Sequence, residues 1–227
     1  MKPNKKIIDN KNRYERKWVF KNINYLQVFN LLIRSKFYFK KHYPLRKINS
    51  IYYDDHNLSC IKHNLDGVSE RVKYRVRWYG EDKFLNNPNF EIKMKKGFEV
   101  AKKLFPLKNF NNCSANNNFN ELTSYINKEI MPSKNLLPTV IIKYERIYLV
   151  SSDNLIRATI DYQVKSKKIF NFRNNFFVNF SDVILELKYD PNLDWIVRKN
   201  FDSFNVRLSK NSKYINCSLN RYQYLSA

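Results

Sequence analysis

Between Glu70 and Tyr79 the chain reads ERVKYRVRWY, and this stretch limits the possible folds more than any other. Side chains alternate across a strand, so Lys73, Arg75 and Arg77 share one face while Val72, Tyr74, Val76 and Trp78 share the other. A helix would scatter these cations around its circumference, whereas an extended chain lines them up. The apolar face then needs a core, and the cationic face needs water or an anion.

The alternation recurs along the chain. In 89–96, Glu91, Lys93 and Lys95 alternate with Phe90, Ile92 and Met94, and in 183–188 Glu186 and Lys188 alternate with Leu185 and Leu187. Arg157 and Asp161 stand opposite Ile156 and Ile160, and Glu15 and Lys17 alternate with Arg16 and Trp18. Strands are therefore expected over 13–20, 48–54, 70–79, 89–96, 139–150, 155–162 and 183–189. A helix is expected after Asn24 as N-cap, on the spacing of Leu26, Phe29, Leu32, Ile33 and Phe37, ending before Pro44. Two more are expected, over 121–130 and, after Pro191, along Leu193, Ile196, Val197, Phe201 and Phe204. The seven asparagines among 109–120 read as a solvated loop.

Charged strand faces are often simply solvated, as in an ordinary two-layer protein. Here, however, acidic residues precede Lys two positions on in several strands: Glu15 and Lys17, Glu91 and Lys93, Glu186 and Lys188. If such strands close with polar faces inward and helices outside, the charges line a tunnel. Rows of Lys and Arg suit a chain of phosphates, and Arg adds bidentate contacts. Interspersed carboxylates stabilise the empty site and offer oxygen ligands to Mg²⁺ or Mn²⁺.

Bulk properties agree with a polyanion partner. The 227 residues carry 42 Lys and Arg against 20 Asp and Glu, a formal net charge of +22. A 43% hydrophobic content supports one domain over 13–227 behind a flexible segment over 1–12. Cys60, Cys113 and Cys217 lack paired metal-ligand spacing, and His42, His56 and His63 form no set with them. With no secretory h-region and no long apolar run, a cytoplasmic location is expected.

The order of these segments resembles the VTC domain, the polyphosphate polymerase branch of the triphosphate tunnel metalloenzymes (CYTH-like). The resemblance rests on RYERK at 13–17, NSIYYDD at 49–55, YRVRWYG at 74–80, FEIKMK at 90–95, PTVIIKYER at 138–146, IRATIDY at 156–162, VILELKYD at 183–190 and SKY at 212–214. It implies an α+β, mostly antiparallel fold: an eight-stranded β-barrel, the triphosphate tunnel, with helices packed outside. It also implies that Lys17, Arg75, Arg77, Lys93, Arg146 and Arg157 bind phosphates, that Glu186 binds the metal, and that Lys210 or Lys213 adds a C-terminal contact. Lys73, Lys95 and Lys188 extend the proposed phosphate lining, and Glu15 or Glu91 would assist Glu186 with Mn²⁺ or Mg²⁺.

The implied reaction transfers the ATP γ-phosphate to inorganic polyphosphate. Hydrolases and cyclases of the superfamily commonly open with Glu-x-Glu-x-Lys, and Arg13 in the first acidic place favours the polymerase branch. The likeness is to bacterial standalone members, so any export would require a membrane-protein partner. A triphosphate hydrolase on the same fold stays open as an alternative. A nucleic-acid-binding module using the basic charge and the aromatics Tyr74, Trp78 and Tyr79 is the remaining rival, but these aromatics are read as core and not as a base-stacking platform.

Overall fold

The computed structural model describes residues 6–9, 13–97, 99–115, 119–169, 176–201 and 206–219. Ten strands form one antiparallel sheet. In chain order they are β1 (Lys6–Asp9), β2 (Tyr14–Phe20), β3 (Lys40–Asp54), β4 (Glu70–Tyr79), β5 (Asn89–Lys96), β6 (Glu99–Pro106), β7 (Leu137–Val150), β8 (Arg157–Lys168), β9 (Val178–Phe180) and β10 (Val183–Tyr189). Their spatial order is β1-β6-β5-β4-β3-β7-β8-β10-β2, with β9 beside β8.

The expected α+β, mostly antiparallel fold is found, and the expected eight-stranded barrel is approximate in two respects: the sheet has ten strands, and its hydrogen-bond ladder does not close among the described residues. The free edge of β2 instead receives a single bridge, Trp18 to Leu208, and Ser209 N donates to the Lys17 carbonyl at 2.8 Å. Side chains span the opening: Lys93 on β5 lies 3.6 Å from Glu15 on β2, although the two strands are far apart in sheet order.

The helices are α1 (Tyr25–Ile33), α2 (Ser59–Leu65), α3 (Phe119–Tyr125), α4 (Asp194–Phe201) and α5 (Lys213–Ser218), with a π-helical turn, Ile126–Ile130, extending α3. Helices α1 and α4 pack on the sheet face opposite the charges, whereas α5 lies against the charged face, with Lys213 on Asp161 and Tyr214 on Tyr52. Val28, Leu32, Val197 and Phe201 pack with Trp18, Phe20, Ile160 and Leu185 in one cluster. Ile61, Leu122, Ile126, Ile215 and Cys217 pack with Val76, Trp78 and Phe90 in the other. Each fully buried Val, Leu or Ile contributes about 1.5–3 kcal/mol relative to exposure. Arg16, on the outer face of β2, holds α4 through a bidentate pair with Asp194 at 2.8 and 2.7 Å.

Strands β4, β5 and β10 begin and end where the alternation places them. Asn24 caps α1 in a reciprocal capping box with Gln27, worth about 1 kcal/mol. The helix nonetheless ends at Ile33, and Leu26 and Ile33 are exposed while Val28 and Leu32 face the core. Pro44 terminates no helix: it lies in β3, between register shifts at Tyr43 and Arg46 where the ladder tolerates a residue lacking an N–H. Strands β1, β6 and β9 and helix α2 were not expected, and β1 falls within the segment read as flexible. Phe204 lies outside the described residues. No helix among them is long and apolar enough to cross a membrane.

Candidate active site

Cross-strand partners share a sheet face, so the register assembles the inner lining directly. Arg75 pairs with Glu91, Lys73 with Lys93 and Arg71 with Lys95 between β4 and β5, and Lys93 faces Lys102 on β6. On the opposite wall, Arg146 pairs with Asp161, Glu186 with Thr159, Lys188 with Arg157, Lys17 with Glu186 and Glu15 with Lys188. The residues separated along the chain thus meet across one concave basic face.

Three ion clusters occupy it. In the first, Glu186 lies 3.2 Å from Lys17 and 2.9 Å from Lys188, and Glu15 lies 3.0 Å from Lys17. Burial opposes the Glu186 charge, yet Lys17, Lys188 and Arg146 overcome it and hold its carboxyl well below the usual range. Glu15 is also lowered: burial and Glu186 oppose its charge, and Lys17, Lys93 and Lys188 outweigh them.

In the second, the Arg75 guanidinium lies 2.5 Å from Glu91, which also binds Lys102 at 2.8 Å. Burial works against the Glu91 charge, but Arg75, Arg77 and Lys102 bring its carboxyl down to about 2. Arg75 also donates to the Tyr52 hydroxyl at 3.2 Å. In the third, Asp161, 1% exposed, accepts two Arg146 hydrogen bonds at 2.5 and 2.7 Å and a further one from Lys213.

Other cations face the same space without a carboxylate partner among the described residues. Arg77 donates only long hydrogen bonds, to Ser50 at 3.4 Å and Tyr144 at 3.2 Å. Lys73 donates to Ser212 Oγ at 2.8 Å, and its ammonium is pushed down to about 7 by burial and by Lys93, Lys17, Arg75 and Arg71. Thr159 Oγ1, between Arg157 and Asp161 along β8, is buried without a hydrogen-bond partner.

The C-terminal segment crosses this face. Asn211 O accepts from Lys17 at 3.4 Å, Ser212 meets Lys73, and Lys213 reaches Asp161. Tyr214 fixes the segment from behind, donating to Asp54 at 2.8 Å and stacking on Tyr52 at 4.7 Å.

Of the residues singled out in the sequence, Lys17, Lys73, Arg75, Arg77, Lys93, Arg146 and Lys213 thus converge with Glu15, Glu91 and Glu186. Lys188 belongs to the first cluster at its exposed side, with Arg157 exposed across the strand from it; Lys95 is half-buried near one end of β5, and Lys210 is exposed. Sequence reasoning left Lys102, Asp161, Thr159 and Ser212 out of the site. Asp161 carried a signal, since it shares alternation with Arg157. Lys102 carried none, because its neighbour Lys103 hides the period of β6.

The sequence matches the VTC domain family over residues 12–220. The chain belongs to the VTC domain family. This VTC domain is accordingly an enzyme of the triphosphate tunnel class, a class of divalent-metal enzymes acting on triphosphate substrates. Among solved structures, it is similar to a candidate adenylate cyclase from Bacillus halodurans, at 11% identity and a TM-score of 0.50, over 91% of this chain and 98% of that one. A candidate adenylate cyclase from Vibrio parahaemolyticus gives 9% identity and a TM-score of 0.50, over 89% and 95%. At these identities the likeness concerns the fold. Among curated proteins, none matches the chain.

Proposed function

We propose that this VTC domain is a polyphosphate polymerase, transferring the γ-phosphate of ATP to a growing inorganic polyphosphate. A terminal phosphate oxygen attacks the γ-phosphorus, the bond to the β–γ bridging oxygen breaks, and ADP leaves. Such transfer needs in-line positioning and stabilisation of charge on the equatorial oxygens, without a protein nucleophile. Arg77 and Lys73 bring donors not committed to carboxylates, and Arg75, Arg146, Lys17 and Lys93 add positive charge around them.

The observation that carries this reading is the state of the inner carboxylates. Glu15, Glu91, Asp161 and Glu186 are all ion-paired and all held below their usual pKa, which makes them weak bases. A phosphate acceptor is already an anion and needs no base, whereas water needs a base or a metal ion to activate it, and these carboxylates are poor bases. Hydrolysis on the same fold is the competing outcome.

The donor set fits Mg²⁺ or Mn²⁺. Glu186 and Glu15 share Lys17 and offer hard carboxylate oxygens, the ligand type these ions take alongside substrate phosphates. Such an ion would neutralise charge on the phosphate oxygens. The first cluster brings two carboxylates to one lysine while Glu91 is the one carboxylate of its cluster, so the Glu15 and Glu186 pair is the better assignment. Incubating the purified protein with ATP and Mn²⁺ and resolving the products on a gel tests the proposal. Long phosphate chains with stoichiometric ADP are expected, and orthophosphate alone would overturn it.

A further inference from the structure

Beside the third ion cluster, where β4 ends while β3 and β7 continue, an arginine sits on tyrosines. The Arg46 guanidinium carbon lies 5.3 Å from the Tyr43 ring, 5.4 Å from Tyr79 and 5.4 Å from Tyr148. Arg46 is exposed and has neither a hydrogen bond nor a carboxylate within ion-pair distance among the described residues. The pad adjoins the basic face directly: Arg46 is the cross-strand partner of Arg146, whose guanidinium lies 5.8 Å from the same Tyr148 ring.

A guanidinium surrounded by aromatic rings, exposed and without a hydrogen bond, keeps its N–H donors for phosphate oxygens, whose geometry they match. The rings limit the rotamer freedom that an exposed arginine would otherwise lose on binding. A cation with no carboxylate to release has the electrostatics of a polyanion contact.

We infer that Arg46, held on Tyr43, Tyr79 and Tyr148, binds the phosphates of a polyphosphate chain that extends beyond the tunnel at this end. The site rests on the proposed function and deepens it, since it discriminates chain length. Tripolyphosphate is held within the inner clusters and does not reach the pad, whereas a long chain engages both.

Arg46→Gln and Arg46→Lys are compared with the wild type by competition binding, using tripolyphosphate, long-chain polyphosphate and ATP at near-physiological salt, where non-specific attraction is screened. Arg46→Gln is expected to bind long-chain polyphosphate about tenfold more weakly with tripolyphosphate unchanged, the scale of one charge-assisted contact. Arg46→Lys recovers only part of the loss, because an ammonium lacks the planar fork. Equal weakening of both polyphosphates, or of neither, overturns the inference while leaving the functional reading intact. Selective weakening of ATP also overturns it and assigns the pad to a nucleobase. A wild-type protein that binds neither polyphosphate overturns the functional reading and the pad together.

Discussion

Arg75 and Arg77 alternate on the same face of β4, yet they carry different energetic roles. Arg75 neutralises Glu91, which is 5% exposed, so Arg75→Ala leaves a buried carboxylate with Lys102 alone and is expected to cost about 3 kcal/mol. Among the described residues Arg77 has only hydroxyl partners, and Arg77→Ala is expected to abolish most turnover with a melting temperature close to the wild type. Thermal denaturation beside activity measurements separates the two, and an equal loss of stability in both variants would contradict the pairing. Lys73 sets a pH dependence. It faces Lys93 from β5, Lys17 from β2, Ser212 from the C-terminal segment, and Arg71 and Arg75 from its own strand. With its pKa at about 7 instead of 10.5, Lys73 is charged below pH 7 and neutral above it in the free protein. A bound polyanion favours the ammonium, so binding draws in a proton at higher pH. Tripolyphosphate affinity is therefore expected to fall as pH rises through 7, by at most tenfold per pH unit, beyond any change seen in Lys73→Met. Parallel pH profiles for the two proteins would refute the assignment.

At the scale of elements, a buried carboxylate joins two helices to the sheet. Helix α2 starts at Leu58, whose left-handed backbone offers no side-chain cap. Asp54 at the end of β3 substitutes, accepting from Cys60 N at 2.9 Å and Ile61 N at 3.1 Å, and its second oxygen also accepts from Tyr214 on α5. Asp54→Ala leaves these donors unpaired in the interior and is expected to destabilise the protein by about 3 kcal/mol. Tyr214→Phe removes one of the bonds, at about 1–2 kcal/mol, and loosens the segment presenting Ser212 and Lys213. Urea denaturation measures both costs. Turnover in Tyr214→Phe is expected to fall more than tripolyphosphate affinity, because several cations outside α5 remain, and equal falls would dissociate Tyr214 from the placement of Lys213.

At the scale of the molecule, the +22 charge attracts any polyanion, so selectivity must come from enclosure. Duplex DNA is expected to displace ATP poorly at near-physiological salt while tripolyphosphate displaces it strongly, since raising salt weakens the many outer contacts first. Displacement by both at equal concentration would favour an open basic surface. Chelation of divalent ions is expected to stop turnover while leaving measurable triphosphate binding, and Glu186→Gln to behave likewise. Unchanged metal dependence in Glu186→Gln would remove that carboxylate from the ion.

Alternation alone determined the faces of β4, β5 and β10, and with them the basic inner lining, because a period of two is a local property of extended chain. The capping of α1 by Asn24 was legible for the same reason: its bonds span three residues. Strands β1, β6 and β9 were not legible, since their short or lysine-rich segments carry no clean period, and β1 exists through pairing with the distant β6. Nor could the sequence say that Lys102 would pair with Glu91, that Asn211 and Ser212 would meet Lys17 and Lys73, or that Arg46 would rest on Tyr43, Tyr79 and Tyr148. Those arrangements depend on register and on curvature of the whole sheet, which bring together residues that no local rule relates.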